Sequence, residues 1–263
     1  MLFRSKGKVP ETLYFTTMPF GMIAPEQYGW FYFGGGMQLM EKLYDKYGML
    51  SFPGGNTGNQ MGGWFQKEIK SVKDLKGLKM RIPGFAGEIL AKLGAKPTNI
   101  PAGELYTALD RGTIDALEWV GPSLDFRMGF HKIAPFYYTG WHEPASEMQF
   151  LITQRVWKKL PADLKEILRV AMRTAAYDMY IQSYHMSGVN WDSMKKEFPN
   201  IQVKSFPADV IAAMRKANAE LLAEKAAADP LAKRILDSQA DYMKKARVWT
   251  EISDKAYLDS FSE

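Results

Sequence analysis

The stretch 79-KMRIPGFAGEILAKLGAKP-97 decides the fold class, because a short strand, a turn and a helix follow one another closely in it. A strand is predicted over Lys79–Ile82 and a helix over Gly87–Leu93. The next stretch, 103-GELYTALDRGTIDALEWVGP-122, predicts a helix first and then a strand over Thr113–Val120. Short strands that alternate with helices indicate an α/β fold.

Longer helices flank this region. They are predicted over 37–48 upstream and over 162–186, 208–228 and 231–262 downstream, whereas 12-TLYFTT-17 has the composition of a short strand. The helix over 162–186 has apolar residues at helical spacing on one predicted face: Leu164, Ile167, Leu168, Ala171, Met172 and Ala175. The segment 231–262, predicted as a final helix or a helix pair, has five apolar anchors: Ile235, Leu236, Met243, Trp249 and Ile252.

Composition excludes several classes of protein. The 263 residues suit one large domain or two modest lobes. The net charge of +5 comes from 34 basic and 29 acidic residues that are interleaved along the chain, so no basic stripe for nucleic acid is present. The absence of cysteine excludes disulfides, thiolate nucleophiles and cysteine-ligated metals. No apolar run approaches the roughly 18–20 residues that span a bilayer.

Familiar catalytic motifs are absent. The sequence contains no GxxxxGK[ST], GxSxG or HExxH motif, and no GxGxxG joins a strand to a helix. The three histidines, His131, His142 and His185, are too scattered in sequence to indicate a zinc site. We therefore predict that each is structural or solvated.

Arg81 is a candidate for anion binding. It ends a predicted strand and is followed by Pro83 and Gly84, so its side chain can leave the strand at the mouth of a loop. The planar guanidinium matches a carboxylate and stays charged when it is buried. An ordinary surface arginine at a strand end is the alternative.

Two acids and an amide provide hard oxygen atoms. Glu118 ends the strand that precedes Gly121, Glu143 lies in 140-GWHEPASE-147, and Gln60 lies in the glycine-rich loop 53-PGGNTGNQMGGWF-65. Such groups suit Na⁺, Ca²⁺ or Mg²⁺ rather than zinc. The two acids also fit the acid and base of a glycosidase, or polar residues satisfied near turns. Spacing alone leaves these three alternatives open.

The chain resembles the solute-binding subunits of TRAP (tripartite ATP-independent periplasmic) transporters. Four stretches carry the resemblance from about residue 12 onward: 52-FPGGNTGNQMGGWF-65, 79-KMRIPGFAGEILAKLGAKP-97, 103-GELYTALDRGTIDALEWVGP-122 and 137-YYTGWHEP-144. The first is similar to the branch that binds 2-oxo acids and related monocarboxylates. The resemblance implies a periplasmic binding protein without enzymatic activity, which delivers its ligand to TRAP membrane subunits.

The resemblance also implies a two-lobed α/β fold with long C-terminal helices. We expect residues 1–58 to form the remainder of lobe I and residues 59–146 to form lobe II. Residues 147–188 would return to lobe I with a long connecting helix, and residues 189–263 would complete lobe II and the C-terminal helices. The end of the chain could pack on a second copy in a homodimer or fold back on its own lobe.

The binding residues follow from the same resemblance. Arg81 would form a salt bridge to the substrate carboxylate, with Gln60, Glu118 and Trp119 also beside the substrate. A bridging Na⁺ or Ca²⁺ would be held by Gln60, Glu118, the backbone carbonyl of Trp119, and Glu143. A 2-oxo or 2-hydroxy acid suits this arrangement, because its carboxylate and the neighbouring oxygen can chelate one cation.

The beginning of the chain departs from the family. The opening 1-MLFRSKGKVP-10 has neither a secretory signal nor the strand–helix units with which family members begin, so we expect a fragment that lacks part of the first lobe. Two rival hypotheses remain at this stage. One is a carbohydrate-active hydrolase that uses Glu118 and Glu143, with Trp119 and Trp141 as a sugar platform, and the other is a truncated fragment that binds no ligand.

Overall fold

The computed structural model describes residues 9–261 of the chain, so the opening residues that depart from the family lie mostly outside the described part. Its α-helices are α1 (Ala24–Phe33), α2 (Gly36–Asp45), α3 (Gly84–Lys92), α4 (Leu105–Asp110), α5 (Pro122–Met128), α6 (Gln154–Lys159), α7 (Ala162–Glu197), α8 (Ala208–Ala228), α9 (Pro230–Thr250) and α10 (Ala256–Asp259). Its strands are β1 (Met49–Asn56), β2 (Gly63–Phe65), β3 (Lys79–Arg81), β4 (Lys96–Thr98), β5 (Ala116–Leu117), β6 (Phe136–Tyr138), β7 (Glu147–Thr153) and β8 (Gln202–Lys204).

Six strands form a mixed sheet in the order β4-β3-β5-β2-β6-β8. Strand β3 runs parallel to β4 and β5, and β6 runs parallel to β8. Strand β2 is antiparallel to both of its neighbours, β5 and β6. The beginning of β2 therefore lies at the same edge of the sheet as the ends of β3, β5 and β6, and this edge gathers the candidate site.

Strands β1 and β7 form a separate antiparallel pair. Their register shifts between Pro53 and Gly55. The Glu147 carboxylate fills this irregularity and accepts hydrogen bonds from the backbone N–H of Gly54 at 2.9 Å and from the Asn56 side chain at 3.3 Å. Burial raises the pKa of Glu147 to about 8, although these bonds lower it.

Helix α7 joins the two sheets. Its 36 residues span about 54 Å at the usual helical rise. Ser183 donates to the carbonyl of Thr57 beyond β1, and Asn190 donates to the carbonyl of Pro122 at the start of α5. Within residues 9–261, no helix is both long and apolar enough to cross a membrane.

The apolar core falls into two clusters. The larger lies under α1, α2, α3, α8 and α9 and includes Trp30, Phe31 and Met80. The smaller lies under α4 and β5 and includes Trp64 and Tyr137, whose rings stack with centroids 3.9 Å apart. Both clusters contribute residues of the six-stranded sheet, so the sheet is buried on both faces where it supports the site.

Three expectations about local structure are wrong. Residues Pro10–Phe15 form a 3₁₀ helix rather than a strand, because their side chains are buried on several sides instead of alternating, and Tyr14 and Phe15 stack on Phe85 and Trp30. The strand predicted over Thr113–Val120 pairs only at Ala116–Leu117. The backbone N–H groups of Val120 and Gly121 bond to the Asp125 side chain instead.

The third error concerns the apolar face predicted for α7. Met172 is buried, but Leu164 and Ile167 are 43% and 60% exposed. Met172 shares its buried face with Ala176, Asn190 and Met194. In the last helix Ile235 is buried, as predicted, whereas Trp249 and Ile252 are each 68% exposed. Folding thus leaves an apolar surface on α7 and on the C-terminal segment. The predicted lobe boundaries remain a prediction.

Candidate functional site

The strand directions bring the predicted site residues to one edge of the sheet. Arg81 is the last residue of β3, and Glu118 directly follows β5, which is parallel to β3. Gln60 lies just before β2 and Glu143 lies after β6. Backbone hydrogen bonds tie these loops together, since the Gln60 N–H donates to the Glu143 carbonyl at 2.9 Å and the Met61 N–H donates to the Val120 carbonyl at 2.9 Å.

Glycines allow the loops to approach so closely. A Cβ atom on Gly140 would lie 1.9 Å from the Gln60 carbonyl oxygen, a distance that no side chain tolerates. A Cβ atom on Gly63 would lie 2.3 Å from the Leu117 carbonyl oxygen, and its φ of +118° is one that residues with a side chain rarely adopt. The glycine-rich loop therefore gives Gln60 its close contact with the ends of the strands.

Arg81 and Glu118 form a buried ion pair. The Arg81 Nη1 lies 2.5 Å from Glu118 Oε1 and 2.7 Å from the Glu118 carbonyl oxygen. The Trp119 ring covers the guanidinium, whose central carbon is 5.3 Å from the ring centroid. Arg81 is 5% exposed, and its Nε is buried without a hydrogen-bond partner among the described residues. The pair thus keeps an unused donor in a place that water does not reach.

His142 also contacts this pair, whereas it was predicted only to be structural or solvated. Its Nε2 lies 3.5 Å from Glu118 Oε2, and its ring is buried. Its Nδ1 has no partner among residues 9–261. Thr17, whose hydroxyl is also buried without a partner in the described chain, lines the same small cavity as His142 and Glu143. The only signal in the sequence for His142 is its place beside Glu143 in GWHEP.

Glu143 is buried next to the ion pair. Burial raises its pKa to about 7, His142 lowers it, and the like charge of Glu118 raises it. A carboxylate that is desolvated beside a second carboxylate is stabilised by a cation. A cation close to both Glu118 and Glu143 would therefore stabilise the charged forms of both carboxylates.

The residues present fit a hard cation. The Gln60 Oε1 is buried without a hydrogen-bond partner in the described part of the chain, while its Nε2 donates to Thr57 at 3.0 Å. Gln60 is joined to Glu143 through its backbone N–H, and an unpaired amide oxygen together with buried carboxylates is the kind of ligand set that Ca²⁺ and Na⁺ prefer. Residues 9–261 contain no group of three or more His, Cys, Asp or Glu side chains that could hold a metal. A cation here would therefore depend on the amide and on a backbone carbonyl.

The backbone carbonyl predicted from the family resemblance is that of Trp119, which precedes two N–H groups held by one side chain. The next two N–H groups, of Val120 and Gly121, donate to Asp125 Oδ1 at 3.1 and 3.0 Å. This side chain takes over the hydrogen bonds that would have continued β5, which explains why the strand is short. Burial raises the pKa of Asp125 to about 6, against the opposing effect of its hydrogen bonds. Asp125 was not among the predicted site residues, although it lies only six residues past Trp119.

Two similar proteins of known structure match almost the whole chain. A TRAP periplasmic solute-binding protein from Colwellia psychrerythraea, with bound calcium and pyruvate, is 68% identical with a TM-score of 0.97, over 99% of this chain and 79% of that one. A second, from Pseudoalteromonas atlantica with bound sodium and pyruvate, is 65% identical with a TM-score of 0.95 and the same coverage. These matches confirm the two-lobed fold with long C-terminal helices.

More distant relatives agree. A TRAP solute-binding protein from Bordetella bronchiseptica, a mixed-occupancy dimer with calcium and picolinate in one site, is 34% identical with a TM-score of 0.92, over 99% of this chain and 77% of that one. A monocarboxylate 2-oxoacid-binding periplasmic protein from Nostoc is 38% identical over 95% of this chain and 69% of its own length. Residues 2–229 match the DctP family. The chain therefore belongs to the DctP family of bacterial extracellular solute-binding proteins, family 7.

Proposed function

We propose that this chain is the solute-binding protein of a TRAP transporter and that it binds a 2-oxo or 2-hydroxy monocarboxylate such as pyruvate. It carries out no chemical reaction, acts in the periplasm and delivers its ligand to the membrane subunits of the transporter. One observation carries the proposal: in the described chain, Arg81 Nε of the buried Arg81–Glu118 pair has no hydrogen-bond partner, and neither has Gln60 Oε1, whose loop is hydrogen-bonded to the Glu143 backbone.

Arg81 would hold the carboxylate of the ligand. Its Nη1 is occupied by Glu118, so the remaining edge of the guanidinium, including Nε, is left for a second anion. The Trp119 ring and the ion pair restrict the rotation of the guanidinium. Because the donor is held in place and excluded from water before binding, little ordering entropy is lost when the ligand arrives.

Gln60, Glu118, Glu143 and the Trp119 carbonyl would hold Na⁺ or Ca²⁺ next to that carboxylate. When bound, the cation supplies a positive charge that the ligand carboxylate and its 2-oxo or 2-hydroxy oxygen can share. Glu118 would contribute both to the carboxylate site and to the cation site. Its Oε1 contacts Arg81, and its Oε2, which lies next to His142, would bind the cation. The similar proteins with calcium or sodium and pyruvate support this arrangement.

Calorimetry with pyruvate and its methyl ester tests the proposal. In calcium-containing buffer we expect saturable binding of one pyruvate per chain. The ester keeps the 2-oxo group but loses the charge that pairs with Arg81, which costs about 2 kcal/mol or more, or roughly thirtyfold in affinity. Equal affinity for both compounds would overturn the carboxylate assignment, and turnover of pyruvate or of an aryl glycoside would overturn the non-enzymatic one.

We also propose that the chain forms a homodimer through α7 and the C-terminal segment. Five exposed apolar residues of α7 lie three, four or seven positions apart, along one stripe of the helix: Ile167, Val170, Tyr177, Ile181 and Tyr184. The C-terminal segment is also apolar and exposed at Trp249, Ile252, Tyr257, Leu258 and Phe261. Such a patch indicates a protein interface, and the dimer of the Bordetella protein supports a second copy as its partner.

Sedimentation velocity distinguishes a dimer from a monomer. We expect the chain to sediment at twice its 29.9 kDa mass and the double variant Trp249→Lys/Ile252→Lys to sediment as a monomer, because two charges would be buried in the interface. Tyr47→Lys is the matched control, since Tyr47 is exposed elsewhere on the molecule. A monomeric wild type, or a dimer that survives the double substitution, would contradict the proposed interface.

A further inference from the structure

Asp125 makes four hydrogen bonds with a single buried carboxylate. Its Oδ1 accepts from the backbone N–H groups of Val120 and Gly121. Its Oδ2 accepts from Trp64 Nε1 and from the Tyr137 hydroxyl, each at 2.9 Å. Asp125 is 1% exposed, so each of these bonds is made away from water. One oxygen thus holds the loop backbone, while the other anchors the carboxylate to the smaller core cluster.

The bond to Val120 fixes the direction of the neighbouring carbonyl. The Val120 N–H and the Trp119 C=O belong to one peptide unit, which is planar and trans, so the two groups point in opposite directions. When the N–H is directed at Asp125, the Trp119 carbonyl must be directed away from it. No donor in residues 9–261 makes a hydrogen bond to this oxygen. The oxygen is therefore free to serve another partner.

The following peptide is fixed as well. The Val120 carbonyl accepts a hydrogen bond from the N–H of Met61, the residue after Gln60. The Gly121 N–H donates to Asp125. Asp125 therefore holds two successive peptides and, through Met61, sets the distance between the Trp119 loop and the Gln60 loop.

We propose that Asp125 is a positioning residue for the cation: it touches neither the cation nor the ligand, and it aims the Trp119 carbonyl by holding the Val120 N–H. This assignment rests on the proposed function. Groups that orient the ligands of a metal typically change metal affinity by about 10- to 100-fold when they are replaced. Asp125 thereby differs from the predicted site residues, each of which would contact the cation or the ligand.

The test is the calcium dependence of pyruvate binding in three variants. Asp125→Asn removes the carboxylate at nearly constant shape, and Asp125→Glu keeps the charge but moves the carboxylate by one methylene group. Tyr137→Phe is the matched control, since it removes one donor on Oδ2 and leaves both backbone bonds on Oδ1 intact. Melting temperatures and circular dichroism are measured for each, together with the calcium concentration that gives half-maximal binding.

We expect Asp125→Asn and Asp125→Glu to raise the calcium concentration that gives half-maximal binding by about tenfold or more. Tyr137→Phe should lower the melting temperature but leave this calcium concentration unchanged. Weaker calcium binding in Asp125→Glu cannot come from a missing charge, because glutamate keeps the carboxylate. It would therefore show that the position of the carboxylate matters. If Asp125→Asn does not fold, Asp125→Glu alone decides the matter. Unchanged calcium dependence in a folded Asp125 variant, or an equal change in Tyr137→Phe, would overturn the inference. Failure of the proposed function is distinct, because wild type would then show no calcium-dependent binding.

Discussion

Replacing Arg81 with lysine is expected to weaken the binding of a 2-oxo acid by roughly tenfold or more, measured by calorimetry at saturating calcium. Lysine keeps the positive charge but has neither the fork geometry nor an Nε donor. A lysine ammonium at this position would also have to choose between Glu118 and the ligand, since Glu118 occupies Nη1 of Arg81 and the proposed ligand would take the edge that carries Nε. The loss therefore comes from geometry rather than from charge.

The exposed Arg111, next to α4, provides the matched control. Arg111→Lys should bind with the affinity of the wild type, because this residue precedes the start of β5, whereas Arg81 lies where the parallel strand β3 ends. Melting curves separate a binding defect from a folding defect, since Arg81→Lys also weakens the buried pair with Glu118. Unchanged affinity in folded Arg81→Lys would remove Arg81 from the site.

Removal of Na⁺ and Ca²⁺ is expected to abolish the change in tryptophan fluorescence on ligand binding, with Trp119 as the reporter among the seven tryptophans. Glu143→Gln should weaken binding by roughly a hundredfold at a fixed calcium concentration, because it replaces an anionic ligand of the cation by a neutral one of the same shape. Glu143 is a cleaner choice than Glu118, whose loss would also break the ion pair with Arg81.

Glu104→Gln is the control for this experiment, since Glu104 is exposed on the surface. A calcium titration of Glu143→Gln should shift toward higher concentration and recover part of the binding at millimolar calcium. Full pyruvate binding by the wild type in buffer free of both cations would show that no bridging cation is needed. Wild-type affinity in Glu143→Gln would show that a cation binds without this carboxylate.

The sequence predicts the regular parts of the fold because local patterns determine them. Strand β3 and the helices α2 and α8 lie close to their predicted bounds, where apolar periodicity agrees with a helix stop or a proline start. Pro10–Phe15 breaks this rule because its side chains fill gaps between α1 and α3. The exposed face of α7 could not be foreseen either, since periodicity locates an apolar face without saying what covers it.

The candidate site was predictable as a set of residues but not as an arrangement. Arg81 and Glu118 are brought together by parallel pairing of β3 and β5, which no spacing in the sequence reveals. Asp125 was not predicted and His142 was predicted only to be structural or solvated, because the contacts of both residues depend on burial. One lies against Glu118, and the other holds the backbone beyond it. Residue chemistry grouped Gln60 with Glu118 and Glu143 as hard oxygen ligands, but only the family resemblance selected a cation site from the alternatives.

The carboxyl group of Glu147 takes up a proton when the chain folds at neutral pH. Its carboxyl group has a pKa of about 8 in the folded chain and an ordinary value of 4.5 when the chain is open to water. Between these values the folded chain binds more protons than the unfolded chain, so the free energy of unfolding falls as the pH rises. The contribution of Glu147 is complete below about 4.5 and disappears as the pH passes through about 8. At neutral pH, the Glu147 carboxyl group at the irregularity in β1 is therefore protonated in the folded chain, and it takes this proton from the buffer during folding.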